Sequence, residues 1–321
     1  MKTPDALQTC VVGDIGGTNA RFARLAADGS LDQIMTLHGT DYPGPAEALQ
    51  AYLAQTTGAA PRTAAIGIAN PLTGDRVQMT NHTWNFSIEE MRRQLDLEKL
   101  EFLNDFTALA LSLPHLGDAD RRQVGQGNAV PRTAIGVIGP GTGLGVSGMV
   151  PAAKGYAFIE GEGGHVTLSG QTDEELAVIS AIARSFPHVS AERAISGPGL
   201  ENLYRALAQV RGIAPRAYEA ADISTHATHG TDPLCVATVN MFCALLGTQA
   251  ANLAVTLGAR GGIYIGGGIV PRLGEFFLRS PFRQRFEEKG RFSAYLAAIP
   301  TWIITAPYPA LIGAAAFLRT S

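Results

Sequence analysis

Cys10-Val11-Val12-Gly13-Asp14-Ile15-Gly16-Gly17-Thr18-Asn19-Ala20-Arg21-Phe22-Ala23-Arg24 is the stretch whose reading decides the fold. An apolar run ends at Gly13-Asp14, and glycines at 16 and 17 lead into the polar pair Thr18-Asn19. A glycine turn of this kind lets backbone N–H groups come close to a ligand. Ala20 to Leu25 reads as a second strand rather than a helix, and Asp28-Gly29 offers the next hairpin turn. The unit is therefore strand, phosphate-sized turn, strand. A Walker loop is excluded, because its Gly-Lys-Ser/Thr ending and following helix are both missing. Taken alone, the stretch also fits an ordinary hairpin with a solvated Asp14, so its partners along the chain decide between the two readings.

Working outward, residues 10 to 40 read as a strand meander. Pro45 to Thr56 carries Ala48, Leu49, Tyr52 and Leu53 at helical spacing. Ala64 to Ala69 and Leu100 to Leu103 are buried-strand patterns, and Asn70 to Asp75 is a turn. Asn81-His82-Thr83-Trp84-Asn85-Phe86 is a polar-aromatic loop, and Ser87 with Glu90 has the spacing of a capping box. Asn104-Asp105 precedes a helix-like run, Phe106 to Leu113. A second half begins near Pro114. There Ala134 to Ile138, the turn Gly139-Pro140-Gly141-Thr142-Gly143-Leu144-Gly145 and Val146 to Val150 repeat the opening design, a weak internal duplication. Helices are expected at Glu174–Phe186, Ser190–Ser196, Gly199–Val210 and Leu234–Leu257, near Leu273–Leu278, and at Ala310–Leu318. Strands are expected at Gly262–Ile265 and Trp302–Thr305. The alternation indicates α/β, and two related halves make a cleft between them the expected site.

Composition limits the function classes. The 321 residues allow one large domain or two ordinary ones. A hydrophobic content of 46% with 17% charged residues suits a soluble globule, and a net charge of −3 leaves no basic footprint for nucleic acid or an anionic membrane. Cys10, Cys235 and Cys243 form no CxxC and leave one odd, so unpaired thiols in a reducing compartment are expected. The N-terminus has no apolar signal core, and no uninterrupted apolar run is long enough to span a bilayer, so the cytoplasm is the expected location.

Three glycine turns follow three strands, at Gly13–Thr18, Gly139–Gly145 and Gly266–Gly268. A nucleotide fits the set, with two turns on its phosphates and the third making room for a flat base. Gly143 to Gly148 also matches GxGxxG, but the chain continues Met149-Val150-Pro151 where a dinucleotide fold needs a helix. Asn104-Asp105 has two level readings: a helix cap, or a proton acceptor (Asp105) beside a hydrogen-bonding Asn104. Glu162-Gly163-Gly164-His165 fits a surface turn or hydroxyl recognition, while a metal pair lacks a third ligand at the usual spacing. Ser190-Ala191-Glu192 is most simply a helix start with an acid in its first turn, and only the company of Glu162 raises Glu192 to a site candidate.

With these residues assembled, the whole chain resembles the bacterial glucokinase family within the actin/Hsp70/hexokinase superfamily. The matching stretches are Gly13 to Arg21, Thr80 to Trp84, Asn104 to Ala108, Gly141 to Gly145, Gly161 to His165, Ser190 to Arg193 with Ser196 to Gly199, and Gly266 to Arg272. The resemblance implies ATP and Mg2+ as cofactors and D-glucose as substrate. It implies that Gly13, Asp14, Ile15, Gly16, Gly17, Thr18, Asn19, Gly141, Thr142 and Gly143 hold the phosphates, with Asp14 near the magnesium through water. Gly267 and Gly268 would pack on the adenosine. Asn104, Asp105, Glu162, His165 and Glu192 would contact glucose, with Asp105 as base. Related ROK-type kinases carry a zinc cysteine cluster soon after the matching histidine, whereas His165 is followed by Val-Thr-Leu-Ser-Gly-Gln, which implies the zinc-free branch. Pro140 inside the second turn is a small departure.

The fold so implied is α/β, a two-domain actin-like ATPase (ribonuclease-H-like) fold with an inter-domain cleft. Residues 1–114 plus 306–321 would form the smaller domain and 115–305 the larger. Trp84 is expected on the cleft lip, and a homodimer is implied by the same resemblance. Two other classes stand against the kinase: a sugar-sensing regulator that lost catalysis, and a structural ATPase of the actin type. No DNA-binding segment precedes Cys10 and Asp105 is present, against the first, and the sugar-contact set has no role in the second. Within enzymes, the alternative is a kinase for mannose, glucosamine or another hexose.

Overall fold

The computed structural model describes Leu7 and residues 9–80, 82–153 and 155–320. The N-terminal octapeptide apart from Leu7, and Asn81 of the polar-aromatic loop, lie outside the described residues. The chain divides into two compact units, residues 1–117 with 306–321, and residues 118–305.

The first unit is built on a five-stranded sheet. Its strands are β1 (Cys10–Ile15), β2 (Asn19–Leu25), β3 (Leu31–His38), β4 (Thr63–Ile68) and β7 (Lys99–Asn104), in the order β3-β2-β1-β4-β7. The first three are an antiparallel meander, and β4 and β7 join β1 in parallel. Successive side chains on a strand face opposite ways. Val11 and Ile15 therefore enter one core with Phe22, Tyr52, Ile66 and Trp84. Cys10 and Val12 enter the other with Leu311, Ala314 and Leu318 of the helix Pro309–Thr320. That helix crosses Asp105–Ser112 at Gly313, where a Cβ would overlap the Ala108 carbonyl. A two-stranded ribbon, β5 (Arg76–Gln78) with β6 (Asn85–Ser87), completes the unit. Ser87 caps the helix Ile88–Gln94 by accepting from Glu90 N at 3.0 Å.

The second unit repeats the plan. Its sheet runs β11-β10-β9-β12-β13-β8, with β8 (Arg121–Val124), β9 (Ile135–Pro140), β10 (Leu144–Pro151), β11 (Tyr156–Ile159), β12 (Ile263–Ile265) and β13 (Thr301–Ile304). An antiparallel meander again leads into two parallel strands, and β8 is added antiparallel at the edge. The duplication seen in the glycine turns is thus a duplication of sheet topology. The helix Pro233–Leu257 forms the centre of this unit's core. It qualifies the expectation about apolar runs: although interrupted, it contains an 18-residue window of mean hydropathy 1.5, long and apolar enough by length and composition to cross a membrane. Asn240, Gln249 and Asn252 interrupt the run without lowering its average enough, and 83% of that window is buried inside the protein.

Three other expectations change. Ser190–Ser196 is not a helix: only Ala191–Arg193 makes a single 3-10 turn, because Ala191 N donates to Val166 O (2.8 Å) and Ser190 bridges to Thr167. The helix near Leu273–Leu278 is two, Ile269–Leu273 and Glu275–Arg279, broken at Gly274, whose φ is +53°. Trp84 is not exposed: it is 2% accessible, and its indole N–H donates to Tyr42 O at 2.9 Å.

Candidate functional site

In the first unit, β1 ends at the tight turn that opened the sequence reading. Gly16 N donates to Asn19 O at 2.9 Å, which closes the turn between β1 and β2. The hairpin register then places Asp14 opposite Arg21, whose Nη1 donates to Asp14 Oδ2 at 3.3 Å. Arg21 carried no role in the sequence reading. A hairpin turning over residues 16–19 fixes that pairing, so the signal was present. Burial pushes the Asp14 carboxyl above the usual carboxylate range, and the Arg21 charge and hydrogen bond only partly oppose it.

Asn104 and Asp105 stand at the same edge of the sheet. Ile15, Ile68 and Asn104 align across β1, β4 and β7, so Asp14 and Asp105 stand at the carboxyl ends of β1 and β7, the parallel strands on either side of β4. Ligands of open α/β sheets bind at that end. The helix Asp105–Ser112 begins there, and Asn104 is its cap: Oδ1 accepts from Phe106 N (3.0 Å) and Thr107 N (3.4 Å). Asp105 Oδ1 accepts from Phe106 N at 2.9 Å, and the residue is only partly buried. Of the two level readings, the capping duty falls mainly on Asn104. Gly67 makes room for this start, since a Cβ there would stand 3.2 Å from Ala108 Cβ.

In the second unit, β9 runs to Pro140 and the turn Gly141-Thr142-Gly143 leads into β10. Pro140 is therefore the last strand residue, paired with Leu144, rather than part of the turn. The turn closes on itself through Gly141 N to Gly143 O (2.8 Å). Its two ends are held from one segment: Gly197 N donates to Gly141 O (2.8 Å), and Glu192 Oε2 accepts from Leu144 N (2.8 Å). Ser196 joins those two holds, donating from Oγ to Glu192 O (2.8 Å) while capping the helix Gly197–Val210 through Gly199 N (3.0 Å). Ser196, not Ser190, is thus the helix start. A recess of about 60 Å³ lies beside the turn, bounded by Thr142, Glu192, Ser196 and Gly199.

Glu162 and His165 flank a 3-10 turn, closed by His165 N to Glu162 O at 3.0 Å. Their side chains are more than half exposed, with Nε2 and Oε2 3.9 Å apart. The two glycines between them lie on β10. A Cβ at Gly163 would stand 2.8 Å from Val146 Cβ, and one at Gly164 would overlap Leu144 O. Gly267 has φ +75°, and a Cβ there would overlap the Pro140 carbonyl, so only glycine permits the third turn to approach the second. Glu162, His165, Glu192, Gly267 and Gly268 are thereby gathered around the turn Gly141–Gly143. Gly13 to Asn19 are gathered with Asn104 and Asp105 in the other unit. Among the described residues, no group of three or more His, Cys, Asp or Glu is placed to hold a metal ion.

Comparison with known proteins agrees across the chain. The family model described as Glucokinase matches residues 11–321. The chain is 56% identical over 310 residues to a glucokinase of Aromatoleum aromaticum, covering 96% of this chain and 94% of that one. It is 52% identical to the bifunctional protein glk of Burkholderia pseudomallei, covering 96% of this chain but only 48% of that longer protein. A solved glucokinase from an Antarctic psychrotroph superposes with a TM-score of 0.89 at 38% identity, covering 97% of this chain and 99% of the other.

Proposed function

This chain belongs to the glucokinase family, and from that premise we propose that it transfers the γ-phosphoryl group of ATP to D-glucose, with Asp105 as general base on the 6-hydroxyl. The fold is the actin-like, ribonuclease-H-like α/β fold, seen in the matching sheet orders of the two units and in the superposition on a solved glucokinase.

The observation that carries the mechanism is the division of labour at the helix start. Asn104 satisfies two of the orphan N–H groups there, so the helix start does not depend on Asp105 as its cap, and a carboxylate at that place can serve as the base. Phosphoryl transfer asks little covalent chemistry of the protein, so the remaining work is positioning and charge stabilisation. Gly13 to Asn19 and Gly141 to Gly143 supply backbone N–H groups for the phosphates. Gly267 and Gly268 give the flat base its space. Glu162, His165 and Glu192 read ring hydroxyls.

Asp14 fits a magnesium site of the kind in which the cation keeps its waters. It is a single carboxylate whose charged form burial disfavours and Arg21 only partly restores, and no protein cage stands around it among the described residues. Asp14 would hold the water shell of a magnesium ion, which would supply charge neutralisation at the phosphates. Three buried cysteines that form no disulfide suit a reducing compartment, and the cytoplasm is the proposed location. A homodimer is proposed on family resemblance.

The test is phosphorylation across a panel of glucose, mannose, glucosamine and galactose with Mg-ATP. A buried polar group left unpaired by a wrong epimer costs about 1–3 kcal/mol, or about 5- to 150-fold. Glucose is expected to lead by that margin. Equal efficiency for the hexoses removes the hydroxyl-reading roles, and ATP hydrolysis indifferent to sugar removes the kinase.

A further inference from the structure

Leu144 is held on both sides of its peptide by the segments that carry the sugar-reading residues. Its N–H donates to Glu192 Oε2 at 2.8 Å, and its carbonyl is covered by Gly164, which sits between Glu162 and His165. Leu144 directly follows the turn Gly141–Gly143. The other end of that turn is bonded to Gly197 N, from the segment that begins at Glu192. A Cβ at Gly143 would stand 2.5 Å from Glu192 Oε2, so the turn and this carboxylate are in contact with no room between them.

We propose that Glu192 couples the two substrates: one carboxylate oxygen fixes the phosphate-holding turn through Leu144 N–H, the other accepts from a sugar hydroxyl, and glucose therefore tightens ATP binding. The inference rests on the reading of Glu192 as a sugar contact. A carboxylate has two acceptor oxygens, and only Oε2 is engaged at Leu144. Without sugar, the side chain keeps rotamer freedom that slackens its hold on the turn. A hydroxyl donating to the second oxygen removes that freedom, and the turn inherits the order. Linkage makes the effect reciprocal, so ATP tightens glucose by the same factor. Glu192 acts on the turn as a positioning residue, separately from its contact with the sugar.

The experiment is calorimetry on the full chain with magnesium and a non-hydrolysable ATP analogue, titrated with and without saturating glucose, and with glucose titrated alone. Typical couplings are about 5- to 150-fold, and about tenfold is expected for the wild type. Glu192→Gln keeps one acceptor oxygen, turns the other into an NH2 donor and removes the charge, so the two charge-assisted bonds accepted by the carboxylate cannot both be kept. Its coupling is expected to fall below about twofold even though each ligand still binds. Gly143→Ala pushes the Glu192 carboxylate aside without changing the chemistry of any sugar-reading side chain, and glucose alone is expected to bind about fivefold or more weakly. Wild-type coupling retained in Glu192→Gln, or glucose affinity within about twofold in Gly143→Ala, overturns the proposal and leaves the kinase reading standing. A wild type that binds no glucose in any state takes down both.

Discussion

Asp105→Asn separates catalysis from architecture more cleanly than any other single change. Its structural consequences are small and can be worked from the hydrogen bonds. Asn104 keeps both of its capping bonds, to Phe106 N and Thr107 N, and an asparagine at 105 keeps a carbonyl oxygen where Oδ1 now accepts from Phe106 N. What is lost is a negative charge in the first helical turn, worth about 0.3–1 kcal/mol at a partly exposed position. That corresponds to a fall in thermal midpoint of about 1–4 °C. The chemical consequence is large, because an amide cannot take the 6-hydroxyl proton. General-base catalysis is worth about 10²–10⁴-fold, which is about 3–5 kcal/mol of barrier. The assay pairs a melting curve with kcat from coupled detection of glucose 6-phosphate, and glucose binding is followed by calorimetry. A midpoint within about 4 °C, a retained glucose affinity and a kcat down at least 100-fold are expected. A kcat within about tenfold of wild type refutes the base assignment.

Four further outcomes follow from the geometry. Burial raises the Asp14 pKa, so its ionisation begins to cost stability above the ordinary 3.8 and the cost is complete once the pH exceeds the raised value; Asp14→Asn should melt higher than wild type at pH 7, with the gap closing towards 3.8, while turnover falls. An unchanged midpoint at pH 7 would show that the charge carries no folding cost. Gly313→Ala must displace the Ala108 carbonyl, one turn from Asp105, and is expected to cost about 1–3 kcal/mol by denaturant titration and up to about 100-fold in kcat. Glu175→Ala strands Arg285, whose guanidinium lies 2.8 Å from the Glu175 carboxylate with both side chains at most 10% exposed; Glu288 at 3.3 Å keeps part of the pairing, so the loss should fall at the low end of about 3–5 kcal/mol. Burial lifts the Cys235 thiol to about 11 and Cys243 to about 12, so a maleimide at pH 7 should label neither without denaturant, and labelling faster than unfolding would place one at the surface.

The central strands were legible because burial and period agree in them. Val11 and Val12 point into separate cores, yet both cores are apolar, so β1 reads as a continuous hydrophobic run, as do β4 and β9. The glycine turns were legible because few other residues fit them, and the repeated turn carried the repeated sheet order with it. Two elements that went unread owe their form to a partner rather than to a pattern of their own. β8 is Arg-Arg-Gln-Val, with no apolar alternation, and it exists because β13 offers it an edge. The helix Ala220–His229 is short and rich in Ser, Thr and His, and packs only Ile223 and Ala227 deeply. Its stability comes from the long core helix beside it, a tertiary effect that local propensity does not carry.

The candidate site divides along a similar line, between what side chains announce and what backbone atoms do. Asp14, Asp105, Glu162, His165 and Glu192 stood out because ionisable groups beside glycines are chemically conspicuous. Arg21 was recoverable, since a two-strand hairpin fixes the residue opposite Asp14. The hold of Glu192 on Leu144 was not, because any residue presents the same N–H and the two positions are 48 apart. The same holds for Gly164, which a loop reading treats as flexible punctuation although it is glycine because Leu144 O occupies the space of a side chain. Any substitution at Gly164 must therefore push the Glu162–His165 segment and the strand that follows the turn apart, while removing none of the side chains proposed to read hydroxyls. Gly164→Ala should consequently weaken the ATP analogue as well as glucose when each is titrated alone. A loss confined to glucose would mean that the sugar segment and the turn are neighbours without being mechanically joined.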